Sequence, residues 1–181
     1  MVTFIQLKLN VHKEVFTQLN IELITWIAHQ LREKYNFDPI AIVGQEVSEY
    51  VTVHLEDYTS LKPPNGIVYL LQVEGTIVGM GAIKKLKDHI GEIKRMYIQP
   101  SYRGRGYGKQ LLNKLLEKGR EFGFSTFRLE TSKFMKAAQH IYYSAGFVES
   151  EEYPEVETPL ILRQYQIFME KIEKFPRSES H

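Results

Sequence analysis

A glycine-rich segment at residues 103–109, placed between a predicted strand and a predicted helix, carries the strongest chemical signal in this sequence. Its residues are Arg103, Gly104, Arg105, Gly106, Tyr107, Gly108 and Lys109. Backbone N–H groups at a helix N-terminus lack intrahelical partners and carry positive partial charge. Glycines let a ligand approach those groups closely, and the three cations add charge. The segment therefore predicts a site for a phosphorylated ligand.

The spacing of the glycines narrows the kind of phosphate site. No G-x-x-x-x-G-K-[ST] pattern is present, so the segment is not a P-loop. It also lacks the G-x-G-x-x-G spacing of dinucleotide-binding folds. On the segment alone, a glycine-rich surface turn with solvated arginines remains an alternative. An RNA-binding interpretation is weaker, because there is one compact cluster and no repeated tract.

The pattern Arg103-x-x-Gly106-x-Gly108 resembles the acetyl-CoA loop of the GNAT acyl-CoA N-acyltransferases, [R/Q]-x-x-G-x-[G/A]. The resemblance covers residues 63–171. Three further segments resemble motifs of that family in the same order. They are the hairpin at residues 73–82, the strand at residues 91–100 and the helix at residues 137–147, which reads AAQHIYYSAGF.

The resemblance implies an α/β fold with a mixed, mostly antiparallel central sheet flanked by helices and a splayed strand pair at the cofactor site. It implies acetyl-CoA as co-substrate and no metal. The pantetheine arm would follow the backbone of Met96, Tyr97 and Ile98, and the pyrophosphate would bind N–H groups of residues 103–109. Many relatives carry an asparagine where this chain has Met135, so Ser132 is expected to replace that cofactor contact.

Tyr142 occupies the position of the family's general acid, four residues before Gly146. A tyrosine near the leaving sulfur suits this role, because its pKa of about 10 keeps it protonated at neutral pH. Tyr143 is about 100° further around the helix and should face elsewhere. The alternative for Tyr142 is a core tyrosine with a satisfied hydroxyl.

Glu92 is the candidate general base, since the family often has a carboxylate early in the strand that ends at the cofactor. Partial burial would raise its pKa and help it accept a proton. The alternative is a solvated glutamate that pairs with Lys94, its i, i+2 neighbour on the same strand face.

The resemblance implies that the binding site for the acyl acceptor is formed by the first two helices and the loop that joins the last two strands. Carboxylates and aromatic rings there suit a cationic amine, although they equally suit a surface loop. The candidate substrate-binding residues are Tyr50, Glu130, Tyr153, Glu155 and Glu157. The expected partner is a small-molecule amine, an amino acid or a peptide. A non-catalytic acyl-CoA-binding sensor or interaction module of the same fold is the alternative function.

Helical and strand periodicities predict the elements that must position these residues. Helices are predicted at residues 11–35, 45–60, 110–122 and 134–145. Strands are predicted at residues 3–9, 67–73, 76–84, 91–98, 125–131, 147–153 and 164–171. Strands outnumber helices and the helices interrupt them, which indicates one mixed sheet covered by helices.

Composition limits the remaining function classes. The chain has 181 residues and a net charge of +1, so its overall charge gives no attraction to nucleic acid or membrane. It contains no cysteine, which excludes thiol chemistry. The six histidines show no metal-ligand spacing. We expect one domain at residues 1–174, a flexible tail at residues 175–181 and a cytoplasmic location. Family habit also implies a homodimer formed through the last strands.

Overall fold

A seven-stranded mixed sheet forms the centre of the computed structural model, which describes residues 1–173. The tail expected at residues 175–181 lies outside that range. The strands are β1 (Val2–Gln6), β2 (Gly66–Val73), β3 (Thr76–Lys87), β4 (Ile90–Ile98), β5 (Thr126–Ser132), β6 (Val148–Ser150) and β7 (Gln166–Ile172). The helices are α1 (Leu9–Tyr35), α2 (Pro39–Val43), α3 (Val47–His54), α4 (Glu56–Thr59), α5 (Tyr107–Glu121), α6 (Lys136–Ser144) and α7 (Leu160–Arg163).

The strand order is β1-β2-β3-β4-β5-β7-β6, and every neighbouring pair is antiparallel except β4 and β5. This parallel pair holds together only at its start, where Ile90, Gly91 and Glu92 pair with Thr126, Phe127 and Arg128. The two strands continue to Ile98 and Ser132 without pairing. The expected mixed sheet with a splayed strand pair is therefore confirmed.

Two buried apolar clusters cover the two faces of the sheet. One face packs on α5 through Leu111, Leu112, Leu115 and Leu116. The other face packs on α1, α3 and α4, where Phe16, Leu19 and Val51 belong to the second cluster. Because both faces are covered, β2 and the middle of β3 are almost continuously buried.

Helix ends follow local sequence signals. Asn36 adopts a left-handed conformation after α1, and the carboxylate of Asp38 accepts hydrogen bonds from the N–H groups of Ile40 and Ala41 at the start of α2. The predicted break between α1 and the next helix is thus confirmed. Within residues 1–173, none of the helices combines the length and apolar character that a membrane crossing requires.

Several predicted boundaries were wrong. The helix expected at residues 45–60 is divided into α3 and α4 at Leu55, whose N–H bonds to Thr52 O. The β-branched run Val51-Thr52-Val53 lowers helix propensity before that point. The strand expected at residues 147–153 is reduced to β6, because Phe147 enters the core and Tyr153 turns back toward β4. The short helices α2 and α7 were not predicted.

Candidate active site

A cavity of about 430 Å³ opens where β4 and β5 separate. Its walls come from α1, α3, α4, β4, β5, α6 and the loop at residues 151–159 that precedes α7. The predicted site residues that line it are Tyr50, Met96, Glu130, Ser132, Tyr142 and Glu157. The splayed strand pair thus brings together residues from five separate parts of the sequence.

Tyr142 reaches this cavity from the buried face of α6. Its side chain is 6% exposed, and its ring packs edge-on against Phe147. Burial raises the pKa of its hydroxyl above the ordinary tyrosine value, and no hydrogen bond contributes to that shift. The hydroxyl is thus a protonated donor at neutral pH that faces the cavity without a partner among residues 1–173.

Glu92 is fully buried and does not line the cavity. The Tyr153 hydroxyl donates a hydrogen bond of 2.7 Å to Glu92 Oε1, and Lys94 Nζ lies 3.5 Å from Oε2. Burial raises the pKa of Glu92, although the Lys94 charge and the Tyr153 hydrogen bond oppose that shift. Glu92 is therefore not the solvated glutamate of the alternative interpretation, but it does form the predicted contact with Lys94.

Lys94 lies on the cavity wall between three carboxylates. Its Nζ is 3.5 Å from Glu92, 3.5 Å from Glu130 Oε1 and 3.0 Å from Glu157 Oε2. Burial disfavours its charge, but the attraction of these carboxylates, Glu92 foremost, outweighs burial and raises the pKa of Lys94. Lys84 also pairs with Glu157. This cluster fastens the loop at residues 151–159 to β3, β4 and β5.

Tyr153 and Glu155, predicted to bind the acceptor, do not line the cavity. Tyr153 is buried behind it, where its hydroxyl binds Glu92 and its ring lies 5.0 Å from the Arg128 guanidinium. Glu155 forms ion pairs with Lys87 at 3.2 Å and Arg128 at 3.4 Å. Both residues hold the loop in place, whereas Glu157 of the same loop faces the cavity.

The glycine-rich segment forms the entry to α5. Gly104 and Gly106 have φ values of 76° and 78°, a left-handed conformation that favours glycine. Gln110 N–H bonds back to Gly106 O, so the preceding N–H groups of the first turn have no intrahelical acceptor. An ideal Cβ at either glycine would meet no atom within 4 Å. The turn therefore presents an open row of N–H groups suited to an anion.

The arginines of this segment have other contacts. Arg103 Nε donates to Ile98 O at 2.8 Å, and its guanidinium lies 5.5 Å from the Tyr97 ring and 5.6 Å from the Trp26 ring. Arg105 lies 5.6 Å from the Tyr102 ring. Arg103 thus anchors the segment to the end of β4, a role that the spacing of its motif did not predict.

The remaining cofactor candidates divide between the two faces of the sheet. Met96 packs toward α5 and lines the cavity, whereas the Tyr97 hydroxyl donates to Glu22 on α1 at 3.2 Å. Ser132 is buried beside the cavity, with its hydroxyl 3.3 Å from Gln166 Oε1. Met135, at the position where relatives have asparagine, lines the cavity and provides no side-chain cap for α6.

Arg95 is a cavity residue that the sequence prediction missed. The signal was present, because Lys94 and Arg95 place two successive charges in the middle of a predicted strand. Such a pair breaks the alternation of buried and exposed positions and indicates a β-bulge. Among residues 1–173, no group of three or more histidine or acidic side chains could hold a metal ion.

Comparison with known proteins matches residues 26–147 to the model of the acetyltransferase (GNAT) family. The uncharacterized N-acetyltransferase YjgM of Escherichia coli is 36% identical over 95 residues, which are 51% of this chain and 57% of YjgM. The IAA acetyltransferase of Azospirillum brasilense is 34% identical over 120 residues, 65% of this chain and 75% of that enzyme.

The fold is also shared with solved structures. A candidate acyl-CoA N-acyltransferase from Klebsiella pneumoniae superposes with a TM-score of 0.68 at 27% identity, over 96% of this chain and 99% of that one. An acetyltransferase of the GNAT family from Staphylococcus aureus gives the same TM-score at 20% identity, over 96% and 100% of the two chains.

Proposed function

The chain belongs to the acetyltransferase (GNAT) family, and from that premise we propose that it transfers the acetyl group of acetyl-CoA to a primary amine. One observation carries the proposal: β4 and β5 pair over three residues only, as far as Glu92 and Arg128, and then separate beside a cavity that Tyr142 lines. A gap between strands leaves backbone groups free to bind an extended ligand as though it were a further strand.

The bound co-substrate would extend along β4 toward the start of α5. Backbone groups of Met96 and Ile98 would hold the pantetheine arm, although Ile98 O already accepts a hydrogen bond from Arg103. The pyrophosphate would bind the N–H groups at the start of α5, where Gly104 and Gly106 supply the left-handed turn. The thioester would then lie in the cavity beside Tyr142.

The reaction needs alignment and balanced proton transfers. The ammonium loses one proton, the neutral amine attacks the thioester carbonyl as a C–N bond forms, and the C–S bond breaks as the thiolate leaves. The nitrogen then loses a second proton to become an amide, and this proton would restore the one that the general acid gives to the sulfur. The Tyr142 hydroxyl would donate its proton to that sulfur. Burial raises the pKa of that hydroxyl, so it is protonated at neutral pH, and the proton would move only as full thiolate charge builds on the sulfur.

Two carboxylates could receive the proton that the acceptor ammonium loses. Glu130 lines the cavity and would hold the ammonium group. Glu92 is buried behind Lys94, so as a general base it would receive the proton through a bridging group such as a water molecule. In this proposal Glu130 is the contact residue and Glu92 the base.

The test is amine-dependent release of CoA thiol from acetyl-CoA, followed with a thiol-reactive dye. The chain contains no cysteine, so the protein contributes no background. We expect release with at least one class among amino acids, polyamines, aminoglycosides and short peptides, and none without an amine. Measurable acetyl-CoA binding with no release from any class would contradict the proposal and favour the non-catalytic alternative.

A further inference from the structure

A β-bulge in β4 places two successive cations on the cavity side of the sheet. Ile93 and Met96 both pack against the cluster on α5, whereas Tyr97 belongs to the cluster on the opposite face. Regular alternation allows one residue between two that share a face, but Lys94 and Arg95 both lie between Ile93 and Met96. The pairing register with β3 shifts at the same point. Both cations therefore face away from α5 and into the cavity.

Arg95 occupies the bulge in a conformation that arginine rarely adopts. Its φ is 55°, in the left-handed region that favours glycine. A glycine would satisfy the backbone there without strain, but it would supply no side chain to the cavity. Strained positions of this kind are concentrated at functional sites.

The Arg95 guanidinium has no polar partner within residues 1–173. It forms no hydrogen bond there and no carboxylate lies within 4.0 Å of it, although it lies 5.0 Å from the centre of the Tyr58 ring. The other arginines within residues 1–173 each bond to a carboxylate or a carbonyl; they are Arg32, Arg103, Arg105, Arg120, Arg128 and Arg163. The ring supports the flat guanidinium and leaves its N–H donors open to the cavity.

Glu130 supplies a carboxylate oxygen without a partner on the same cavity wall. Its Oε1 lies 3.5 Å from Lys94 Nζ, while its Oε2 is buried without a hydrogen-bond partner among residues 1–173. A buried carboxylate oxygen without a partner is unfavourable. An ammonium group entering beside Glu130 would satisfy it.

We propose that the amine acceptor is an amino carboxylate, with its carboxylate bound by Arg95 and its ammonium group held by Glu130. This inference rests on the proposed acetyl transfer. A guanidinium matches a carboxylate with two parallel hydrogen bonds, an interaction that polyamines, aminoglycosides and simple amines cannot form. The site therefore selects amino carboxylates over acceptors that lack a carboxylate.

The experiment compares each of the twenty L-amino acids with its carboxamide, with acetyl-CoA as the donor throughout. The carboxamide keeps the amine and the side chain but removes the negative charge. We expect kcat/KM for the preferred amino acid to exceed that of its carboxamide by about 10- to 100-fold, the usual contribution of a hydrogen bond to a charged group. Equal or faster transfer to carboxamides would overturn the inference and leave acetyl transfer standing.

Arg95→Gln tests which residue binds the carboxylate. We expect KM for the preferred amino acid to rise about 10- to 100-fold, with little change in kcat or in the carboxamide reaction. Arg95→Lys keeps the charge but loses the planar fork, so it should recover part of the affinity. Arg120→Gln, which removes a surface charge paired with Glu173, is the matched control and should behave as the parent protein. Equal losses for amino acids and carboxamides in Arg95→Gln would overturn the inference.

Calorimetry on the acetyl-CoA-bound protein separates failure of this inference from failure of acetyl transfer. If no acceptor is acetylated, the proposed activity is wrong. Binding of amino acids that weakens in Arg95→Gln and persists in Arg120→Gln would still support the carboxylate site. Absence of such binding would overturn the inference independently of turnover.

Discussion

Tyr142 and Tyr143 are neighbours on α6 with opposite surroundings. Tyr142 is 6% exposed and lines the cavity, whereas Tyr143 is 45% exposed and its hydroxyl pairs with Glu149. We predict that Tyr142→Phe lowers kcat by about 100-fold or more, the usual contribution of a general acid. Acetyl-CoA affinity, measured by calorimetry, should persist because only the hydroxyl is removed.

Tyr143→Phe is the matched control for this prediction. It removes the same atom one position further along the helix, on the side that faces solvent. Parent activity in Tyr143→Phe together with the loss in Tyr142→Phe would support the general acid. Unchanged kcat in Tyr142→Phe at saturating substrates would exclude it from that role.

Glu92 should set the acid limb of the pH profile. Burial raises its pKa above the ordinary glutamate value of about 4.3. With Glu92 as the proposed base, activity should therefore fall as pH falls through that raised value. We predict that Glu92→Gln lowers kcat/KM by about 10- to 100-fold at neutral pH. The defect should shrink as pH rises, because free amine accumulates without help from a base.

Glu170→Gln is the control for the pH experiment. It removes a partly buried carboxylate bound to Arg128 at 2.8 Å, away from the cavity lining. Its pH profile of kcat/KM should match that of the parent protein. Identical profiles for Glu92→Gln and the parent protein would remove Glu92 from the mechanism.

The sequence predicted the site residues more easily than the contacts that those residues make. The rotation of 100° per residue in an α-helix was enough to predict that Tyr142 and Tyr143 face different surroundings. The burial of Glu92 was not predictable in the same way, because it depends on a loop more than 50 residues away that brings Tyr153 to its carboxylate. Arg95 was missed because a bulge reverses which strand positions face the cavity.

At the scale of elements, the turn that leads into α5 needs glycine because of its backbone conformation and not because a side chain would lack room. An ideal Cβ at Gly106 meets no atom within 4 Å, but φ is 78°. We predict that Gly106→Ala lowers the free energy of unfolding by about 1 kcal/mol, the cost of a left-handed alanine. It should also raise KM for acetyl-CoA, because relief of the strain moves the N–H groups that we propose bind the pyrophosphate.

Gly75→Ala separates these two effects. Gly75 lies in the hairpin between β2 and β3, with φ of 88° and no atom within 4 Å of an ideal Cβ. Urea unfolding should show a similar loss of stability, while KM for acetyl-CoA stays at the parent value. Equal KM values for the two variants would remove the turn from cofactor binding.

Periodicity identified most strands and the long helices, because those elements bury one stripe or one face. It failed where tertiary contacts determine the ends. The expected helix at residues 45–60 bends at Leu55, which is buried against the sheet. The loop at residues 151–159 contains glutamates and tyrosine in no periodic order, so its fastening to Lys84, Lys87 and Lys94 could not be read from spacing.

At the scale of the whole molecule, the two faces of the sheet differ in what covers them. The cavity lies mainly under α1, α3 and α4, although Met96 and Tyr142 from the cluster on α5 also line it, whereas the face under α5 is an apolar core. The position of α5 on that core sets where its N-terminus meets the end of β4. Close packing beneath α5 is therefore needed both for stability and for the geometry of the cofactor turn.

Gly119 is a point of close approach between α5 and the sheet. An ideal Cβ there would lie 2.4 Å from Phe127 Cε1 and 2.6 Å from Ile83 Cδ1, both in fully buried side chains. Alanine is the better helix former by about 1 kcal/mol, but overpacking a core costs about 1 to 3 kcal/mol. We predict a net loss of stability for Gly119→Ala and a larger loss for Gly119→Val, measured by urea unfolding.

Asn113→Ala distinguishes packing from helix propensity. Asn113 is exposed on the same helix, so alanine there should raise the free energy of unfolding by about 0.5 kcal/mol through propensity alone. If packing governs Gly119, the two alanine substitutions have opposite signs, and the Gly119 variants also raise KM for acetyl-CoA as α5 is displaced. A more stable Gly119→Ala variant would show that the side chains beneath α5 can move to make room for the added methyl group. The close packing at Gly119 would then not determine the position of the cofactor turn.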